Sequence, residues 1–262
     1  MKLFAKKSLG QHFLTSPTAL STIIEAAHLQ KGETVLEIGP GTGILTRALL
    51  AADARVIAIE KDVRSVALLE QELSKEISAG SFKLNSADIL ETDLGLHGLI
   101  NGQYAIVANI PYYITGAILE KCLEYTPRPN RMVLLVQKEV ADRIVATDGK
   151  ESILSISVKA FGKPRVVAKV PRGAFSPPPN VDSAILSIDD ISDRRFVQKG
   201  LETRRFFDIV TAGFAHKRKL LKRNLEEAIP AEKLDEIWQK INLDPNLRAE
   251  DVSLDTWFDI CV

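Results

Sequence analysis

Cysteine is nearly absent from this 262-residue chain: Cys122 and Cys261 are the only two, and they stand far apart. That spacing argues against a disulfide and matches no zinc-ligand pattern. Histidine is scarce too. His12, His28, His97 and His216 form the whole set, and no two stand at metal-binding spacing, so no metal is expected. No apolar run approaches the roughly 20 residues that span a bilayer. The start, Met1-Lys-Leu-Phe-Ala-Lys-Lys7, has no apolar core followed by a small-residue cleavage site. The expectation is a cytoplasmic chain with no membrane partner. Net charge is lacking as well, since 34 Lys/Arg face 34 Asp/Glu. A zero sum gives no support for a nucleic-acid partner, but the distribution does. From Arg194 to Arg223 ten basic residues stand against two acidic, a balance of +8. From Asn224 to Val262 three stand against ten, a balance of −7. The two blocks cancel in the sum and are free to occupy different faces. Local charge sets a phosphate-binding footprint.

The chain is 45% hydrophobic, and its length suits one large domain or a medium domain plus a small one. Short β-branched runs alternate with helical patterns. Strands are expected at Thr34–Ile38, Arg55–Ile59, Phe82–Asn85, Tyr104–Ala108 and Arg131–Gln137. Helices are expected at Thr42–Ala52, Asp62–Lys75, Thr115–Glu124 and Lys138–Ala146. This alternation implies a parallel sheet covered on both faces. Arg165–Val170 and Asp182–Ile188 then read as a final antiparallel pair around the turn Phe175-Ser-Pro-Pro-Pro-Asn180. Beyond Asp193 no strand signal remains, and Phe206–Glu227 and Ala231–Ile241 read as amphipathic helices. The expected division is residues 1–191 and residues 192–262.

Gly39-Pro-Gly-Thr-Gly43 ends the first of these strands and opens a helix. Open α/β sheets bind ligands at such strand ends, and glycines let backbone approach them closely. Gly39 and Gly41 are therefore candidate cofactor contacts. Glu60 ends the second strand, 17 residues after Gly43, where an acid typically holds two ribose hydroxyls. Asp88 follows the third strand and is placed to read an adenine edge, with a helix cap or turn as its plainer role. Gln11 and His12 are placed to line the pocket as a lid. Lys2, Lys6 and Lys7 read as a basic tail, and His28 and His97 as ordinary packing or surface residues.

A glycine loop and an acid serve NAD as well as S-adenosyl-L-methionine. The segment Asn109-Ile-Pro-Tyr112 separates the two. Hydride transfer needs a donor or acid beside a nicotinamide, and no good candidate is evident. An amide, a rigid proline carbonyl and an aromatic ring at a strand end suit an amino-bearing base instead. The nitrogen of an aromatic amine is delocalised into its ring. Two acceptors on its hydrogens favour rehybridisation and developing positive charge. Asn109 and Pro111 are the candidate acceptors, and Tyr112 the stacking face. Phe175 is placed either to cover the other face of the base or to pack in the core beside its proline bend. In His216-Lys-Arg-Lys-Leu-Leu-Lys-Arg-Asn-Leu225, leucines serve packing. Lys217, Arg218, Lys219, Lys222 and Arg223 are left to solvent or to phosphates.

These motifs together resemble the ribosomal RNA adenine dimethyltransferases of the KsgA type. The likeness runs over nearly the whole chain. It includes Lys7-Ser-Leu-Gly-Gln-His-Phe-Leu14, Glu37-Ile-Gly-Pro-Gly-Thr-Gly43, Glu60-Lys-Asp62 and Asn109-Ile-Pro-Tyr-Tyr113. It continues through Gln137-Lys-Glu-Val-Ala-Asp142, Phe175-Ser-Pro-Pro-Pro-Asn-Val-Asp-Ser183, Phe214-Ala-His-Lys-Arg-Lys219 and Asn246-Leu-Arg-Ala-Glu250. The resemblance implies a Rossmann-like class I methyltransferase domain, with a mostly parallel seven-stranded sheet, and a small all-helical C-terminal domain that contacts RNA. It implies S-adenosyl-L-methionine as cofactor. The implied product is two dimethylated, adjacent adenines near the 3′ end of 16S ribosomal RNA in an assembling 30S subunit; nothing in the sequence suggests an obligate dimer, and a monomer is expected. Carried over by residue, His12, Leu14, Gly39, Glu60, Asp88 and Asn109 would contact the cofactor. Asn109, Pro111, Tyr112 and Phe175 would contact the base. The segment Thr147-Asp-Gly-Lys-Glu-Ser-Ile-Leu154 departs from the family pattern, keeping Lys150 but losing a tyrosine-glycine pair. Two alternatives share the scaffold: a large-subunit adenine methyltransferase of the macrolide-resistance type and a non-catalytic assembly factor.

Overall fold

The computed structural model describes residues 5–6 and 10–262; Lys2 and the expected motif positions Lys7, Ser8 and Leu9 lie outside them. Contacts divide the chain into two compact units. The first holds residues up to Ala141 together with Gly162–Ile191, and the second holds Asp142–Phe161 with Ser192–Val262. The expected contiguous division after residue 191 thus differs by one segment.

Among the described residues nine strands run, in chain order, Phe13–Leu14 (β1), Thr34–Ile38 (β2), Arg55–Glu60 (β3), Phe82–Ser86 (β4), Tyr104–Asn109 (β5), Arg131–Gln137 (β6), Lys163–Val170 (β7), Phe175–Ser176 (β8) and Ser183–Asp189 (β9). Seven of them form one sheet in the order β4-β3-β2-β5-β6-β9-β7. β4 through β6 pair in parallel, while β9 runs antiparallel to both its neighbours. β7 therefore shares the direction of the parallel set, and β9 alone opposes it. From β2 the chain builds outward through β3 and β4, then returns to lay β5 on the other side of β2. That reversal opens a crevice at the carboxyl ends of β2 and β5, the usual ligand position in such sheets.

Both faces of the sheet are covered, which explains strands without polar alternation. Tyr104 through Ala108 and Met132 through Val136 are wholly buried. A fully buried branched side chain contributes about 1.5–3 kcal/mol. The covering helices are Pro17–Ala27 (α1), Ile44–Ala51 (α2), Val63–Glu72 (α3), Ser74–Ser78 (α4) and Thr115–Glu124 (α5); Lys138–Val145 (α6) follows β6 and runs on into the second unit. Ser16 caps α1 by accepting from the Ala19 N–H, with Pro17 in the first turn where no backbone donor is needed. Asp62 likewise caps α3. β1 and β8 form a separate two-stranded ladder that pairs Leu14 with Phe175.

The second unit is helical: Ile153–Phe161 (α7), Arg194–Lys199 (α8), Thr203–Phe214 (α9), Leu221–Leu225 (α10), Ala231–Lys240 (α11) and Leu254–Cys261 (α12). Residues 142–161 belong here because the aromatic core does. The Phe161 ring lies 5.1 Å from that of Phe196, and Phe206 stacks on Phe258 at 4.5 Å. One expected helix is corrected. Phe206–Glu227 is not continuous; it breaks after Phe214 and resumes at Leu221. The buried Asn224 amide donates to the carbonyls of Gly213 at 2.6 Å and His216 at 3.1 Å, which folds the intervening residues into a turn. In the departing 147–154 segment, Lys150 pairs with Asp251 and, at 3.6 Å, with Glu250. The surviving cation is thus engaged within its own unit.

Candidate active site

The strand ends that meet at the crevice place their last residues around one cavity of about 200 Å³. Registers put Ile38 beside Ile59, and Glu60 beside Ser86, so the acid of β3 arrives next to the glycine loop. The loop turns sharply through Gly39 at φ 65°, Gly41 at φ 57° and Gly43 at φ 77°, a region that side chains rarely enter. At Gly41 a Cβ would also meet the Phe13 ring at 3.0 Å, and at Gly43 the Leu69 side chain at 2.6 Å. Glycine is required here by both conformation and space.

Glu60 is buried at the cavity wall. One of its carboxylate oxygens accepts from the Gly41 N–H at 3.0 Å, and the other from the Asp62 N–H at 2.8 Å. Burial raises its pKa, and these backbone donors oppose the rise. Each oxygen keeps a lone pair for a further donor. Asp88 accepts from the Leu90 N–H at 2.9 Å and pairs with Lys61 at 2.6 Å. The lysine holds its carboxyl below the usual range. Lys61 is exposed, so an incoming amine can displace it from Asp88 readily.

Asn109 ends β5 at the same cavity. Its amide nitrogen donates to the His12 carbonyl at 3.0 Å, which turns the side-chain oxygen to other donors. The Pro111 carbonyl already accepts from the Ile114 N–H at 3.2 Å, within the short turn Tyr112–Ile114. One lone pair remains on it. Tyr112 is half-buried, bonds Ser183 through its hydroxyl at 2.6 Å, and stacks on His12 with ring centroids 5.8 Å apart.

The residues just before β1 close this cavity and are tied down at several points. Gln11 donates to Asp62 at 2.9 Å, and His12 bonds the Pro177 carbonyl at 2.8 Å through Nδ1. The Arg64 guanidinium beside Asp62 holds that carboxyl down to about 2, so it accepts from Gln11 as a full anion.

Of the expected cofactor contacts, Gln11, His12, Gly39, Gly41, Glu60, Asp88 and Asn109 line the cavity, as do Pro111 and Tyr112 from the base set. Leu14 and Phe175 do not. Both are buried in the core, where the two-residue β1–β8 ladder turns them inward among Ile23, Val170 and Ile185. Phe175 is packed in the core in this structure. Lys61, Ile89, Leu90 and Tyr113 also line the cavity and were not expected. The Glu60-Lys-Asp62 motif carried a signal for Lys61. The five expected RNA-contacting cations lie in the other unit. Lys217, Arg218 and Lys219 are exposed on the turn. Lys222 pairs with Asp235, and Arg223 with Glu226 at 3.1 Å.

The family model for ribosomal RNA adenine dimethylase matches residues 3–262. The chain is 40% identical to a ribosomal RNA small subunit methyltransferase A of Dehalococcoides mccartyi, with 99% of this chain and 88% of the relative covered. It is 38% identical to a protein of the same name from a Nostoc species, with 96% and 95% covered. Among solved structures it resembles a dimethyladenosine transferase from Plasmodium falciparum at TM-score 0.81 and 27% identity, over 95% of this chain and 96% of the other. It resembles the 23S rRNA methyltransferase ErmE at TM-score 0.72 and 27% identity, over 95% and 98%. Fold, cavity and full-length similarity agree, and the chain belongs to the ribosomal RNA adenine dimethylase family.

Proposed function

We propose that this chain uses S-adenosyl-L-methionine to dimethylate the N6 amino groups of two adjacent adenines near the 3′ end of 16S ribosomal RNA. The observation that carries this reading is the convergence of Glu60, Asp88 and Asn109 on one cavity at the sheet's reversal point. The donor set suits the cofactor. Two carboxylates accept from ribose hydroxyls and from an adenine amine, and they suit a ligand bearing a sulfonium charge. Ile38, Ile59, Ile89 and Leu90 supply apolar walls for an adenine face. Gly39 and Gly41 let backbone close on the ligand. Gln11 and His12 cover it and limit water.

The bound cofactor supplies a methyl group on a positively charged sulfur. The chain's own residues prepare the acceptor. Asn109 Oδ1 and the Pro111 carbonyl accept the two N6 hydrogens of the target adenine, pulling its lone pair out of conjugation and fixing its direction. The same acceptors stabilise the positive charge that grows on N6 as the C–N bond forms. The methylated nitrogen is then strongly acidic and sheds its proton without a tuned base. Tyr112 offers a face to the base, worth about 1–3 kcal/mol, once His12 moves off it. Leu14 and Phe175 contribute by holding the ladder that positions Gln11 and His12.

Small-subunit RNA is favoured over large-subunit RNA by the names and near-complete coverage of the curated relatives. Catalysis is favoured over a purely structural role by the intact acid–amide set. The assembling 30S subunit is the proposed partner, met by a monomer in the cytoplasm. Among the described residues no helix is long and apolar enough to cross a membrane. Incubating the protein and labelled cofactor with both ribosomal RNAs, within immature subunits, tests the reading by primer extension. Two neighbouring dimethylated adenines in the small-subunit RNA are expected. Label confined to the large-subunit RNA overturns it.

A further inference from the structure

The helical unit holds a second cavity, a cleft of about 350 Å³ between the start of α9 and the start of α11. Three cations line it: Arg204 and Arg205 from α9, and Lys233 from α11. All three are exposed, and among the described residues none is in an ion pair. Like Lys217, Arg218 and Lys219 on the turn, they contrast with four cations of the basic block that have acidic partners. Arg195, Lys199, Lys222 and Arg223 are partnered by Asp255, Asp259, Asp235 and Glu226. The cleft also has an apolar floor, the buried Ile209 and Ile229, and two carboxylates, Glu202 and Asp208. Each part fits one portion of a nucleotide. Free guanidinium and ammonium groups take the phosphate. An apolar floor takes the face of a base that has left its stack. Carboxylates take a 2′-hydroxyl or an exocyclic amine, groups that donate. A duplex presents phosphates but no free base face, so it can use only the first part.

We propose that this cleft is a binding site for one unstacked nucleotide of single-stranded RNA, separate from the cavity at the sheet. The inference rests on the RNA-methyltransferase reading, and its failure is distinguishable from the failure of that reading. The test is fluorescence anisotropy of full-length protein with a short single-stranded oligoribonucleotide, its deoxy counterpart and an RNA duplex. It compares the unaltered chain with R204E/R205E/K233E. The variant is expected to bind the single-stranded RNA at least tenfold more weakly, and the duplex, which uses only the phosphate-binding part, more weakly by a clearly smaller factor. The deoxy strand is expected to bind the unaltered chain several-fold more weakly than RNA. Photocrosslinking of the unaltered protein to the same oligoribonucleotide, read by peptide mass spectrometry, is expected to mark residues 202–209 or 228–233. That measurement is independent of whether the variant folds. Equal losses for single strand and duplex would reduce the cleft to a general basic patch and overturn the proposal. So would unchanged affinity, or crosslinks confined to other peptides. If the unaltered chain methylates adenines while the cleft fails these tests, only this inference falls.

Discussion

At the scale of single residues, two acids beside the glycine loop behave differently from surface carboxylates. Glu37 lies wholly inside β2 and accepts from the Thr46 hydroxyl at 2.7 Å. Burial pushes its pKa up to about 8, helped by the nearby Glu60. The folded state therefore binds a proton that the unfolded chain releases near pH 4.5. Its stabilising contribution is complete below that pH and declines as pH rises toward 8. Glu37→Gln keeps an acceptor for Thr46 and carries no charge. Unfolding free energies from urea titration are expected to fall between pH 5 and pH 8 for the natural chain, by on the order of a few kcal/mol, and to fall less for the variant. Parallel curves would show that Glu37 does not titrate in this window. Asn109 is the other decisive residue. Asn109→Ala is expected to cut turnover by about 10²-fold or more, through loss of one acceptor at the charged nitrogen. Cofactor affinity measured by calorimetry should change only a few-fold. The acids and the amide were legible in the sequence because they end strands whose apolar runs are plain. The Lys61–Asp88 pair was not, since it depends on β3 and β4 being neighbours.

At the scale of elements, the sheet was legible and the helix break was not. Runs such as Tyr104–Ala108 and Met132–Val136 announce buried strands by composition alone. Nothing in Ala215 to Leu220 is a strong helix breaker, and leucine spacing carries the helical pattern through. The break is imposed by Asn224, whose buried amide captures two carbonyls 8 and 11 residues earlier. Such a contact has no periodicity to read. Asn224→Ala would leave both carbonyls without that partner, and a loss of about 1–3 kcal/mol is expected in chemical denaturation. A variant as stable as the natural chain would show that the turn has another cause. The placement of Leu14 and Phe175 escaped for a related reason. A ladder of two residues per strand is too short to produce alternation, yet it decides which way both side chains face.

At the scale of the whole molecule, charge is balanced in total but spent unevenly. The acidic tail block does not keep to itself; Asp235, Asp255 and Asp259 neutralise members of the basic block. Lys217, Arg218 and Lys219 are left without ion pairs among the described residues. Neutralising those three should lower the slope of log affinity for RNA against log salt by about 2. Neutralising Lys222 and Arg223, which already have acidic partners, should change it less. Equal changes per residue would mean that the internal pairs open freely on binding. The sequence showed the two blocks but not their interleaving, because pairing depends on how α10, α11 and α12 fold back.

The short β1–β8 ladder joins positions 13 and 176, and His12 reaches Pro177 across 165 positions. During synthesis the N-terminal flap therefore has only its Asp62 and Asn109 anchors, and lacks those of β8, until Pro177 has left the exit tunnel. A nascent chain halted earlier would already own its glycine turn and both acids, yet could not fully shut the door over a nucleoside.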